Sequence, residues 1–282
     1  MDMMLDLVDV FGSAPLTGNP LAVVHGGEEL ETAVMHRLTC WLGFSETTFL
    51  CPPTDPRADY RLRIFYPGGE LPFAGHPTLG SCHAWLAAGG KPKRDGVVVQ
   101  ECGAGLIEIR VSSGSYAFRA PPLTRTGPLS EEERLAAIAR TGVDPETVVE
   151  AVHAKNGPAW QILRLRSAAD VLAAKPEPTA PAGTDIGLAG PCEPGAAADW
   201  ELRAFFADHQ GRFREDPVTG SFNAGVAQHL FDSGLAKGHY RAAQGRMTGA
   251  DGLVDCTREE DGSTWIGGRC HTIASQAALS RP

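Results

Sequence analysis

A chain of 282 residues, 43% hydrophobic and 21% charged, is long enough for one large or two medium domains with well-filled cores, and too apolar to be disordered. A net charge of −9 without any basic run excludes a nucleic-acid backbone and an anionic membrane surface as partners. Seven cysteines, an odd count with no Cys-x-x-Cys pair and no Cys/His cluster at ligand spacing, point to reduced thiols in a cytosol and to no metal site.

The N-terminal stretch carries acidic residues inside its apolar run and no basic start, so residues 3–11 read as a first strand rather than a signal peptide. No apolar run is long enough to span a bilayer. Thr17-Gly18-Asn19-Pro20 is a turn signal, followed by a strand over 21–24. Residues 28–42 place Leu30, Val34, Leu38 and Leu42 on one helical face, and Gly43 ends the helix. Residues 45–51 and 60–66 read as strands. Residues 77–88 read as a helix with Pro77 in its first turn and Gly89-Gly90 as its stop, and 97–101, 105–112 and 115–119 as three further strands.

The proline-rich stretch 121–130 is the linker candidate. It divides the chain into domains over 1–120 and 129–282, with the last strand able to pack on the first domain. Ser130 and Glu133 form a capping box that opens a helix through Arg140. Strands follow over 147–153 and 159–165, then a short helix over 167–175. The Pro/Ala/Gly-rich segment 176–198 reads as surface, with one short strand at 186–188. A strand over 200–206, a helix over 217–234 and a hairpin of 254–257 with 264–273 complete the chain.

One unit is written twice. At an offset of 140 residues Arg63 meets Arg203, Phe65 meets Phe205, Phe73 meets Phe213, Pro77 meets Pro217, Gly80 meets Gly220, Ser81 meets Ser221 and Ala84 meets Ala224. Two such copies imply two similar domains with a cleft between them. Both helices carry small or apolar residues on most sides, which is the signature of a buried helix. A curved, mostly antiparallel sheet around each helix would bury it.

The two copies differ where chemistry would show, with His76 in one and Asp216 in the other. Helix N-termini hold unpaired N–H groups that bind anions, and Gly75 and Gly220 would let a small carboxylate approach the backbone. Alternatively, both residues are plain N-caps; this suits Asp216 well and His76 poorly. Glu46, among apolar and hydroxylated residues, lies either on a solvent face or half-buried. Half-buried, it could take and return a proton near neutral pH. Asp9 reads as structural. The five tryptophans read as core residues, and the other histidines as surface or satisfied core residues.

The runs V-D-V-F-x-x-x-P-x-x-G-N-P-L-A-V-V from Val8, F-S-E-T-T-F from Phe44, R-I-F-Y-P-G-G-E-L-P-F-A-G-H-P-T-L-G from Arg63 and E-D-P-V-T-G-S from Glu215 resemble the phenazine-biosynthesis isomerase family, the PhzF-like proteins. The resemblance implies an α+β, diaminopimelate-epimerase-like fold: two pseudo-symmetric domains, each a barrel-like sheet around a central helix, with the active site between them. It implies that Glu46 is the acid/base, that His76 and Asp216 assist proton transfer and hold the substrate, and that Gly75, Gly220 and Ser221 bind substrate. Asn19 would shape the site.

The resemblance further implies a cofactor-independent isomerase that shifts a proton and a double bond in a small unsaturated amino or carboxylic acid, in phenazine or related antibiotic synthesis. The partner would be that small carboxylate, the enzyme a cytoplasmic homodimer. Epimerases of this fold use a cysteine pair, but Ala74 precedes Gly75 and the second motif also has no cysteine. An epimerase or a non-catalytic binding protein is thus the weaker reading. The segment 244–252 matches the family only loosely, leaving the substrate open.

Overall fold

The computed structural model describes residues 3–280. In chain order its elements are β1 (Met3–Val10), β2 (Asn19–His25), α1 (Thr32–Leu42), β3 (Thr47–Cys51), β4 (Tyr60–Tyr66), β5 (Gly69–Leu71), α2 (Gly75–Ala87), β6 (Val97–Cys102), β7 (Gly105–Ser112) and β8 (Ser115–Arg119). Then follow α3 (Glu131–Thr141), β9 (Val148–Lys155), β10 (Ala159–Leu165), α4 (Ala168–Ala173), β11 (Asp185–Pro191), β12 (Trp200–Ala207), β13 (Phe213–Asp216), α5 (Gly220–Asp232), β14 (His239–Gln244), β15 (Gly252–Arg258) and β16 (Thr264–Leu279). Among the described residues no helix is long and apolar enough to cross a membrane.

The chain forms two compact units. One takes the residues up to Arg119 together with those from Gly267 onward, and the other spans Ala120–Ile266. Strand β16 begins in the second unit and ends in the first.

The first unit is a closed barrel with neighbours in the order β1-β2-β3-β4-β6-β7-β8-β16, sealed by antiparallel pairing of β1 with β16. Helix α2 fills it. Gly75 to Cys82 and Ala84 are all buried. A helix buried on all sides cannot carry large residues everywhere. At Gly80 an added Cβ would lie 2.6 Å from Leu21 Cδ2 and 2.8 Å from Val10 Cγ2, so the barrel wall closes directly on the helix backbone. Three polar pairs are buried with it. Ser81 Oγ donates to Thr48 Oγ1 (2.8 Å), Gln100 Nε2 donates to Thr78 Oγ1 (3.0 Å), and Tyr60 OH donates to Gln100 Oε1 (3.0 Å).

The second unit repeats the helix-in-sheet arrangement with strands β15-β14-β12-β11-β10-β9 curved around α5, without a pairing among the described residues that closes β9 onto β15; Gly220, Phe222 to Ala227 and Leu230 of α5 are buried. An outer apolar layer of α3 and α4 residues (Ile138, Val171) covers Leu163, Leu188 and Phe205. The proposed linker does more than connect. Ala120 N–H donates to Thr264 O, and Arg125 and Pro128 bridge Lys155 and Val152 of β9. It therefore covers a strand edge that would otherwise stand open. The capping box at Ser130 and Glu133 is present, and Gly142 in the left-handed region (φ 63°) ends α3.

Several boundaries differ from the sequence reading. The short strand expected at 186–188 is the seven-residue β11, buried over Ile186–Gly190. Strands β5, β13 and β14 were not anticipated. Helix α2 starts at Gly75 rather than Pro77, and α5 at Gly220 rather than 217. Trp41, expected in the core, is 81% exposed at the end of α1.

The internal repeat also changes register. Arg63 and Arg203 are equivalent at an offset of 140, since each lies over the Phe two residues on (5.1 and 5.0 Å to the ring centroids of Phe65 and Phe205). Beyond the β4–β5 and β12–β13 turns the offset is 145. Phe65 pairs with Glu70 as Phe205 pairs with Glu215, and each arginine grips that glutamate through two nitrogens. The second turn is longer, so the later matches at 140, Phe73 with Phe213 through Ala84 with Ala224, are coincidences. The true partners are Gly75 with Gly220, Thr78 with Asn223 and His76 with Ser221. Asp216 corresponds to Leu71, not to His76.

Candidate functional site

Residues of the first unit's candidate set come together at the open start of α2. The N-cap is Ala74, so His76 sits inside the first turn and is not a cap. Thr78 N–H makes the first intrahelical bond, to Ala74 O (3.1 Å), and Pro77 has no N–H to offer. The N–H groups of Gly75 and His76 are left without intrahelical partners at the positive end of a 13-residue helix.

Glu46 immediately precedes β3, at the end of the turn from Gly43, which takes the left-handed conformation (φ 76°) that closes α1. Its Oε2 lies 3.5 Å from His76 Nε2, with side-chain exposures of 18% and 7%. The half-buried alternative for Glu46 is the one the structure adopts. Burial pushes the His76 imidazole down to about 3, so it is neutral at pH 7 and meets Glu46 as an uncharged ring. Nitrogen NMR of the labelled protein should accordingly show His76 as a neutral imidazole down to about pH 5; imidazolium shifts near pH 6 would overturn this account.

Asn19 opens β2, fully buried, opposite Val10. The turn before it is held by Asp9, whose carboxylate accepts from Thr17 N–H (3.0 Å) and Gly18 N–H (2.9 Å). That is the structural role expected of Asp9; burial raises its pKa while these bonds oppose the rise.

In the second unit Asp216, Gly220 and Ser221 gather at the start of α5. Thr219, not Asp216, is its N-cap. Thr219 Oγ1 donates to Asp216 Oδ2 (2.5 Å). Gln244 organises the rest. Its Oε1 accepts from Thr219 N–H (3.1 Å) and Asn223 Nδ2 (2.8 Å), and its Nε2 reaches Asp216 O (3.1 Å) and Thr219 Oγ1 (3.0 Å). Ser221 is gripped from the other side. Trp160 Nε1 donates to its Oγ (3.0 Å) and Asn156 Nδ2 to its carbonyl (2.8 Å).

Sequence reasoning missed Thr219, Gln244, Trp160 and Asn156. Asn156-Gly157-Pro158 is a turn signature that could have marked one of them.

The loosely matching segment packs on the Asp216 turn. A Cβ at Gly245 would lie 2.5 Å from Pro217 O, and one at Gly252 2.3 Å from Val218 Cγ2. Arg246 anchors the segment to Glu201 (Nη1–Oε2 3.3 Å), whose side chain is fully buried. Burial raises Glu201 to about 7, against the pull of Arg246. A carboxyl raised from about 4.5 to about 7 on folding keeps its proton longer in the native state, so native stability falls as pH climbs through that window and is level above it. Glu201→Gln should therefore gain about 2 kcal/mol on the native protein between pH 5 and pH 8 in urea melts. A constant difference across pH would refute it.

A helix-filled closed barrel and a second curved sheet around its own helix, both of mixed pairing and with anion-receptive helix starts, define a fold of the diaminopimelate-epimerase-like class. The structure matches a hydroxyproline epimerase from Agrobacterium vitis with a TM-score of 0.55 at 14% identity, over 100% of this chain and 95% of that one. It matches a phenazine biosynthesis protein of the PhzF family from Enterococcus faecalis with a TM-score of 0.80 at 22% identity, over 99% and 100%. Residues 8–275 match the family model for phenazine biosynthesis-like proteins, PhzC-PhzF.

The chain is 32% identical to trans-2,3-dihydro-3-hydroxyanthranilate isomerase of Pseudomonas chlororaphis, over 79% of this chain and 78% of that protein. It is 36% identical to antisense-enhancing sequence 1 of Schizosaccharomyces pombe, a match that spans 58% of each chain. The chain belongs to the PhzF family and is an isomerase.

Proposed function

We propose that the chain is a cofactor-independent isomerase that moves a proton, and with it a double bond, in a small unsaturated amino or carboxylic acid akin to dihydro-hydroxyanthranilate. The observation that carries the reading is the contact between Glu46 and a neutral His76 at the start of α2. The activity named for the Pseudomonas chlororaphis relative supports it.

Glu46 removes a proton from one carbon of the bound acid and returns it to another. A half-buried carboxylate close to one face of the substrate can perform both transfers. His76, carrying no charge, hydrogen-bonds the substrate without quenching Glu46. The N–H groups of Gly75 and His76 face charge that builds on a substrate oxygen as the double bond shifts. Asn19 shapes the first unit's part of the site. Asp216, Gly220 and Ser221 are the second unit's substrate-holding set, Asp216 also assisting the proton's movement.

A thiol mechanism is disfavoured. Ala74 and Thr219 occupy the two helix caps, and Cys82 is fully buried with its thiol pushed above the usual range. The working form is a homodimer in the cytoplasm, in synthesis of a phenazine or related secondary metabolite.

The test is incubation of trans-2,3-dihydro-3-hydroxyanthranilate with the purified chain in heavy water. Isomerised product is expected, unaffected by a thiol-blocking reagent, with deuterium at the carbon that gains the proton in proportion to how far the Glu46 carboxyl exchanges with solvent between the two transfers. An unchanged substrate pool would sink the reading, and loss of turnover on thiol blocking would favour the epimerase-type chemistry instead.

A further inference from the structure

Strand β11 opens on a carboxylate that the site described so far does not use. Along β11, Ile186 and Leu188 pack into the outer apolar layer with Phe205, so Asp185 and Gly187 face the central helix. A Cβ at Gly187 would lie 2.1 Å from Phe222 Cζ of α5. Strand β3 is built the same way. Thr48 touches Ser81 of α2, and Glu46 stands two residues ahead of it on the same face. Both strands pair in parallel with the second strand of the first hairpin of their unit, β3 with β2 and β11 with β10. Asp185 thus holds, in the second unit, the place that Glu46 holds in the first.

Its bonding says what it does there. Asp185 Oδ2 accepts from Ala159 N–H (3.1 Å), the residue that ends the Asn156–Pro158 turn and opens β10. On the two sides of that residue stand the donors that grip Ser221: Asn156 Nδ2 on its carbonyl at 2.8 Å and Trp160 Nε1 on its hydroxyl at 3.0 Å. We propose that Asp185 is a positioning residue, which clamps the 156–160 turn so that Trp160 and Asn156 fix the hydroxyl and carbonyl of Ser221 at the start of α5. The role in turnover rests on the isomerase reading; the clamp itself does not.

Burial raises Asp185 to about 6, opposed only by the Ala159 N–H. No charged side chain contributes. Phe206 lies opposite on β12, and Ala159, Trp160 and Gln161 are what β10 brings alongside. An ionised carboxylate accepts an N–H bond more strongly than a protonated one, so the clamp tightens as the pH rises past about 6.

The experiment is fluorine NMR of the full chain grown with 5-fluorotryptophan, with the Trp160 resonance assigned by Trp160→Phe. Without any substrate, the Trp160 resonance should titrate with a midpoint near pH 6. It should stop titrating in Asp185→Asn, whose uncharged acceptor oxygen matches the protonated carboxyl and holds the resonance near its low-pH position, and be displaced at every pH in Asp185→Ala. With substrate, Asp185→Ala should raise KM about tenfold at nearly unchanged kcat, and Asp185→Asn should restore KM to within about twofold. A Trp160 resonance that is flat with pH and identical in wild type and Asp185→Ala overturns the proposal. Wild-type protein that turns over no acid but shows the fluorine titration would defeat the isomerase reading and leave the clamp standing.

Discussion

Glu46→Gln is expected to lower kcat for the proton shift by about 10³-fold and to leave the melting temperature within a few degrees of the parent. The replacement has the size and shape of the original and can keep the approach to His76, 3.5 Å in the parent. What it loses is the capacity to hold a carbon-derived proton and return it. Positioned acid/base groups contribute about 10² to 10⁴ in rate, and here one group would perform both transfers, so the loss should lie well inside that range. The neutral state of His76 sharpens the test. A ring that burial holds down to about 3 is a poor substitute base, so no neighbour is ready to take over the missing carboxylate's work. Deuterium incorporation and steady-state turnover, measured beside a thermal melt, check the result. A variant that keeps its turnover within a few-fold of the parent would remove Glu46 from the role of proton carrier.

What the sequence disclosed, and what it concealed, follows from how local each signal is. Helix α2 was legible because a run with Gly80 and Ala84 among apolar neighbours can only be buried. Its first residue was not, because Pro77 fits any position of a first turn and so marked the start two residues late. That shift matters for the site, since it places His76, a poor cap on sequence grounds, inside the first turn with its own N–H free of an intrahelical partner.

The repeat was visible through Arg63-x-Phe65 and Arg203-x-Phe205, which conserve a cation over a ring within one strand. Its second half was misaligned because turn length leaves no periodic trace. Five extra residues between Phe205 and Glu215, compared with Phe65 and Glu70, moved Ser221, not Asp216, into the place of His76. Strand β11 read as mostly surface because Gly187 and Gly190 resemble loop residues. In the structure they are small because Phe222 and the Ser167 backbone press against them. Gln244, which ties Thr219 to Asp216, was hidden for a different reason. Its partners lie 21 to 28 residues away, and no spacing rule reaches that far.

Arg203→Met should cost about 3–5 kcal/mol of stability, whereas the matching change at the equivalent position, Arg63→Met, should cost about 1 kcal/mol or less. The two arginines make the same forked contact with a glutamate and lie over the same kind of ring, so chemistry alone does not separate them. Solvent does. The side chains of Arg63 and Glu70 are 23% and 39% exposed, while those of Arg203 and Glu215 are 3% and 12% exposed. Removing Arg63 leaves Glu70 with water. Removing Arg203 leaves Glu215 facing a low-dielectric interior without its counter-charge. It also strips the donor from the carbonyls of Val171 and Ala174 at the end of α4, which Arg203 Nη1 reaches at 3.2 and 2.8 Å. If the penalty comes from the stranded carboxylate, Arg203→Met combined with Glu215→Met should recover most of it, to within about 1–2 kcal/mol of the parent, because a buried pair exchanged as a whole for apolar side chains is close to neutral. Urea denaturation of the three variants and the parent measures both quantities. A double variant as unstable as Arg203→Met alone would locate the cost in the α4 carbonyls rather than in the ion pair.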